Sequence, residues 1–122
     1  MLERKEILIV FPLMEDKKAP MICGTLTYYV DKSTNVLHVC EFTTRANTSG
    51  YGRLLIKAIQ GVCGERCLSG IELCSLAPAV TFYMHFDFFE MHPKECLHDV
   101  RYITRQRRRS NGLRGVPLAW LC

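Results

Sequence analysis

EFTTRANTSGYGRLLIKAIQGVC, residues 41–63, passes from an alternating pattern through a glycine-containing turn straight into an amphipathic stretch. Up to Asn47 the residues alternate as in a strand, and after Gly52 the apolar residues Leu54, Leu55, Ala58, Ile59 and Val62 recur at helical spacing. Gly50 and Gly52 fall where the chain must turn tightly. Lacking Cβ atoms, they leave the first backbone N–H groups of the helix open to an anion. The layout is that of a phosphate-binding turn.

Upstream of this stretch, Val36–Thr44 reads as a strand with Val36, His38, Cys40 and Phe42 on one face and Leu37, Val39, Glu41 and Thr43 on the other. Glu41 interrupts an apolar face, either as a solvated residue near a strand end or as a base beside the turn. The turn composition DKSTN, residues 31–35, separates this strand from another over Met21–Val30. The first strand is Ile7–Leu13, whose continuous apolar run predicts burial on both faces. Three strands with short connections make an antiparallel meander.

Downstream, Gly64 fits the helix C-terminus and GIELCS, residues 70–75, gives a fourth strand parallel to the third, with Tyr51–Cys63 as the crossover helix. Pro78 fits the first turn of a second helix, whose face is marked by Ala79, Phe82, Tyr83 and Phe86. Phe88–His92 reads as a fifth strand. Val100–Thr104 reads as a weaker one, with Gln106–Ser110 a charged loop and Asn111–Gly112 a turn. Val116–Leu121 returns as a last strand, which Pro117 would place at a sheet edge or limit in its pairing. The expected fold is α+β with an α/β-like core: a mixed, mostly antiparallel sheet around a central βαβ unit, with two main helices.

The 122 residues, 48% hydrophobic, suit one domain over 1–122 with an ample core. No run approaches the roughly 20 apolar residues of a membrane span, and nothing resembles a secretory leader. Seven cysteines, several inside apolar patterns, point to a reducing, cytoplasmic setting. Cys63 with Cys67, and Cys96 between His92 and His98, raise the question of zinc. Neither forms a paired CxxC arrangement, so no metal is expected. The net charge of +4 is concentrated in Arg101–Arg114, a basic loop or tail segment over 101–115 suited to an acidic protein or a nucleic acid, or simply solvated.

Two segments together resemble the GNAT superfamily of N-acetyltransferases. The first is Asn47-Thr48-Ser49-Gly50-Tyr51-Gly52, which is similar to the family's turn of Arg or Gln, two residues, Gly, one residue, and Gly or Ala. The second, Ala79–Phe88 (AVTFYMHFDF), looks like its later segment of a helical Ala, an aromatic-Tyr pair and a closing Gly-Phe. Asn47 replaces the long polar residue, and Asp87 replaces the Gly, a position where Asp tolerates positive φ better than most. The region before the third strand shows no amphipathic helix where the family usually has two.

The resemblance implies acetyl-CoA as donor, with its pyrophosphate at Asn47, Ser49, Gly50, Tyr51, Gly52 and Arg53 and its pantetheine arm along Glu41–Arg45, between splayed third and fourth strands. A backbone N–H of Phe42 or Thr43 would polarise the thioester carbonyl. An amine acceptor must attack neutral, and a lysine-like amine has a pKa of about 10.4, so a base is needed. Glu41 is the leading candidate, with His38 on the opposite face and His85 as substitutes. Tyr83 matches the family's acid for the departing thiolate, or packs in the core. Cys40 and Cys74 as covalent nucleophiles lack any local signal for a lowered thiol pKa. The implied reaction is direct acetyl transfer to a primary amine of a protein or small molecule. The alternatives are a non-catalytic module that binds CoA or a protein partner, and nucleic-acid binding through the basic tail. A homodimer is compatible with either.

Overall fold

A computed structural model describes residues 4–11, 22–45, 50–91 and 115–122. Strands β1 (Lys5–Val10), β2 (Gly24–Asp31) and β3 (Val36–Thr44) form the meander; helix α1 (Tyr51–Glu65) crosses to β4 (Gly70–Ser75). A 3-10 turn (Ala77–Ala79) leads into the short helix α2 (Val80–Met84), and β5 (Phe89–Glu90) and β6 (Val116–Leu121) complete a six-stranded sheet. Its order is β1-β2-β3-β4-β6-β5. Only β3 and β4 pair in parallel, and the other neighbours are antiparallel. This is the mixed, mostly antiparallel α+β sheet with a central βαβ unit.

The core lies between one sheet face and α1. Leu26, Leu37, Ile71 and Leu118 from four strands meet Leu55, Ile56, Ile59 and Cys63 from the helix, nearly all of them fully buried. The helix stripe is therefore rotated from the one its sequence suggests. Leu54 is 56% exposed and Ala58 faces solvent, because the packed set follows i, i+1, i+4 and i+8 from Leu55. At the C-terminus the left-handed residue is Cys67 (φ 54) rather than Gly64, with Leu68 N–H donating to the Cys63 carbonyl at 2.9 Å. Arg66, just past the helix, reaches β1 and grips Glu6 through two hydrogen bonds of 2.7 and 3.1 Å. That contact holds the Glu6 carboxyl below its usual pKa, the guanidinium bonds outweighing desolvation.

Three expectations change here. Among the described residues the first strand is an edge strand starting at Lys5, with Ile7 and Ile9 about half exposed, because β2 is its one described partner and only Leu8 and Val10 turn toward the core. Pro117 does not put β6 at an edge. Its carbonyl accepts from Met91 N–H at 2.9 Å, on the β5 side. A residue's N–H and C=O point the same way in a strand, so the missing donor costs nothing toward β4. The expected fifth strand shrinks to two residues and the second helix to five.

A further change concerns β3. Thr27 pairs with Glu41 but Tyr28 pairs with Val39, so Cys40 is an extra residue, a β-bulge. The simple alternation holds up to Val39 and then reverses. Phe42 joins Leu37 and Val39 over the helices, and Glu41 moves to the face that carries His38.

The strand over Val100–Thr104, the loop and turn that follow it, and the basic segment 101–114 lie outside the described residues, as do His92, Cys96 and His98. Among the described residues no group of three or more His, Cys, Asp or Glu side chains could hold a metal, and no helix is long and apolar enough to cross a membrane.

Candidate cofactor groove and active site

The parallel ladder between β3 and β4 has only three rungs, Val36↔Gly70, Leu37↔Ile71 and His38↔Glu72. Both strands run on, β3 to Thr44 and β4 to Ser75, without further pairing to each other. They part like the arms of a V. Arg45 N–H donates to the Cys23 carbonyl at 2.8 Å, and amides alternate along a strand, so Thr43 also faces β2 while the N–H groups of Phe42 and Thr44 face the opening. Of the two amides considered from the sequence, the geometry singles out Phe42.

Helix α1 begins at the open end of the V. Its N-cap is Gly50 in the left-handed region (φ 93, ψ −18), with no side-chain cap and no acidic residue in the first turn. Among the described residues the positive end of the helix therefore has no side-chain partner, the condition under which a helix N-terminus attracts an anion. The two glycines serve different purposes. Gly50 is required by its backbone angle, and a Cβ on it would meet nothing within 4 Å; one on Gly52 would press on Phe82, Phe42 and Thr44 at 3.3–3.6 Å. Gly52 therefore lets the helix start sit directly on the end of β3. Arg53 is exposed in the first turn, and Tyr51 is half-buried with its hydroxyl pKa raised by a hydrogen bond to the Cys23 thiol. Arg45 and Thr43 border an open groove of about 250 Å³ with Cys23, Gly24 and Thr44. Asn47 and Ser49 lie outside the described residues.

Tyr83 stands beneath the V, 7% exposed, within a ring cluster: Phe82 at 5.2 Å, Phe88 at 5.7 Å and Phe42 at 6.2 Å between centroids. Burial pushes its hydroxyl pKa up to about 12, so the group holds its proton at neutral pH. Asp87 takes φ 68, the left-handed conformation that the Gly at this place would supply, and Gln60 Nε2 donates to the carbonyl of Phe86 beside it at 2.9 Å.

On the sheet face away from α1, Glu41 is exposed and shares its side with His38 because of the bulge. His38 is 3% exposed, stacked on Tyr29 (centroids 5.0 Å, 19° between planes), and its Nδ1 lies 3.6 Å from Glu72 Oε2. Cys40 and Cys74, both half-buried, follow just past the last rung, and His85 is exposed in the turn after α2, apart from this group. The sequence reading passed over Glu72. Its signal was a carboxylate alternating with Ile71 and Leu73 in a strand flanked on both sides.

No protein-family model matches the sequence, and neither does any curated protein. Solved structures do match. An acetyltransferase from Bacillus cereus superposes over 98% of this chain with a TM-score of 0.64 at 19% identity, and this chain covers 76% of it. A GNAT-family acetyltransferase from Staphylococcus aureus matches over 82% of the chain with the same score at 16% identity. The chain has the GNAT fold. N-acetylglutamate synthase from Neisseria gonorrhoeae, solved with coenzyme A and N-acetyl-glutamate, matches over 82% of this chain with a TM-score of 0.63 at 17% identity. This GNAT-fold chain spans 23% of that synthase and 60% of the Staphylococcus protein.

Proposed function

We propose that the chain transfers acetyl from acetyl-CoA to a primary amine by direct attack in a ternary complex. The observation that carries this reading is the parting of β3 and β4 after the His38↔Glu72 rung, beside the uncapped N-terminus of α1. That combination supplies a row of outward amides next to an anion site, which suits a cofactor with an amide-rich arm and a pyrophosphate. In this reading the Gly50–Arg53 amides hold the pyrophosphate, Asn47 and Ser49 being the sequence's further candidates for it, Arg45 lends charge, and Phe42 N–H polarises the thioester carbonyl. Glu41 takes the amine proton, directly or through water, and Tyr83 returns one to the thiolate. Acetyl-CoA at millimolar concentration is expected to raise the melting temperature, and CoA release with an amine panel is expected to follow; no shift and no release would end the proposal.

A second reading, a GNAT-fold module that binds CoA or a partner without turnover, draws support from Tyr83, whose ring is enclosed by three phenylalanines. Acetyl-CoA protection without CoA release across the panel would favour it.

A further inference from the structure

We propose that the cavity on the sheet face opposite α1 binds a primary amine with an apolar body, its ammonium group held by Glu72. The cavity has a volume of about 460 Å³, a size that suits a small organic ligand. Val36, Phe89, Met91, Ala119 and Leu121 form apolar walls. The floor is the bare backbone of Gly70, where β4 and β6 run so close that a Cβ would collide with the Trp120 carbonyl oxygen. Among the described lining residues Glu72 alone carries a charge.

This lining selects a ligand class. Glu72 has His38 Nδ1 3.6 Å from one oxygen, and a carboxylate can take an ammonium group beside a neighbouring imidazole, while the walls gain from covering an aliphatic or aromatic body. A polyamine would find the hydroxyls of Ser33, Thr34 and Ser69 in the lining but no second described acid for its further ammonium groups. An acidic ligand would meet Glu72 with like charge. Glu72 also belongs to the last rung of the β3–β4 ladder, so the charged end of the cavity coincides with the vertex of the V. The role of the cavity as acceptor site rests on the acetyl-transfer reading; the binding does not.

The test is calorimetric titration of the full chain with 2-phenylethylamine, with 2-phenylethanol as a neutral analogue of the same body and spermidine as a polyamine. Saturable binding of the amine is expected, about tenfold or more tighter than the alcohol, as for a hydrogen bond to a charged group. Glu72→Gln, checked for native circular dichroism, should bring the amine down to the level of the alcohol. Phe89→Ala, at an exposed strand position, should weaken both aromatic ligands while preserving their ratio. The assignment fails if millimolar 2-phenylethylamine does not bind, if folded Glu72→Gln binds it as well as the parent chain, or if spermidine binds more tightly. Glu72-dependent binding without any CoA release would keep the cavity and discard acetyl transfer. Acetylation of spermidine without binding of 2-phenylethylamine would do the reverse.

Discussion

Glu41 and Tyr83 carry separable demands that single substitutions can distinguish. Glu41→Gln is expected to lower kcat with an amine acceptor by about 10²–10⁴-fold near neutrality, the range for loss of a general base, and to leave protection by acetyl-CoA unchanged. The loss should shrink at high pH, where the amine deprotonates by itself; a loss constant with pH would remove Glu41 from the role of base. Tyr83→Phe keeps the ring among Phe42, Phe82 and Phe88, so stability should hold while kcat falls. Tyr83→Ala should cost roughly 3–5 kcal/mol on urea unfolding, as for other large aromatic truncations. Alkaline unfolding gives a second check on the same hydroxyl. With its pKa raised from 10 to about 12, the buried neutral form contributes stability that is intact below pH 10 and is lost as pH rises through about 12. The lost amount is on the order of 2–3 kcal/mol, and Tyr83→Phe should flatten the stability curve in that window.

At the level of elements, the turn into α1 and the strand beside it make independent predictions. Gly50→Ala places a Cβ at φ 93 and is expected to cost about 1–2 kcal/mol in stability, with Gly50→Asn retaining more, since Asn visits the left-handed region. Asp87→Gly should be neutral or stabilising at φ 68, whereas Asp87→Val should destabilise; equal melting temperatures for the two would contradict the turn. If acetyl-CoA lies along β3, hydrogen exchange should show new protection at the Phe42 and Thr44 amides and little change at Thr43, which already faces β2.

Most element boundaries were legible in the sequence because local chemistry sets them. Val36–Thr44 and Gly70–Ser75 are bounded by turn residues, and Asn35 does adopt φ 60 at the end of its turn. The parting of β3 and β4 was legible only through the family resemblance. Which face a residue takes was less accessible, since that depends on pairing between distant strands. The bulge at Cys40 leaves no mark in VLHVCEFTT, yet it reassigns Glu41, Phe42 and His38 relative to one another. Likewise the depth of β1 depends on how many neighbours it has, and the apolar run Ile7–Phe11 cannot report that. Glu72 escaped notice because a charge near a strand start reads as solvated until the other strands surround it.

Across the whole molecule, the helical crossover and the edge strand are joined by a surface contact in addition to the packing of Leu8 and Val10 on the core. The Arg66–Glu6 pair joins β1 to the end of α1 across sixty positions of sequence, and with both side chains about 34–45% exposed it should contribute less than about 1 kcal/mol. Its effect is expected in local opening instead. Arg66→Ala should raise amide exchange in β1 more than in β3, and uniform acceleration across the sheet would count against that coupling.

The extra residue in β3 also marks the place where the strand can lose a residue. Removing Cys40 alone would put Glu41 directly after Val39, just as their partners Thr27 and Tyr28 already stand next to each other, so Glu41 would keep the His38 face and Phe42 the hydrocarbon interior. Val36–Val39 and the ladder to β4 would keep their register. A single-codon deletion there would therefore spare both halves of the strand, whereas pairing Cys40 in register without a deletion would invert Glu41–Thr44, so it is the bulge that keeps Glu41 outside and Phe42 inside.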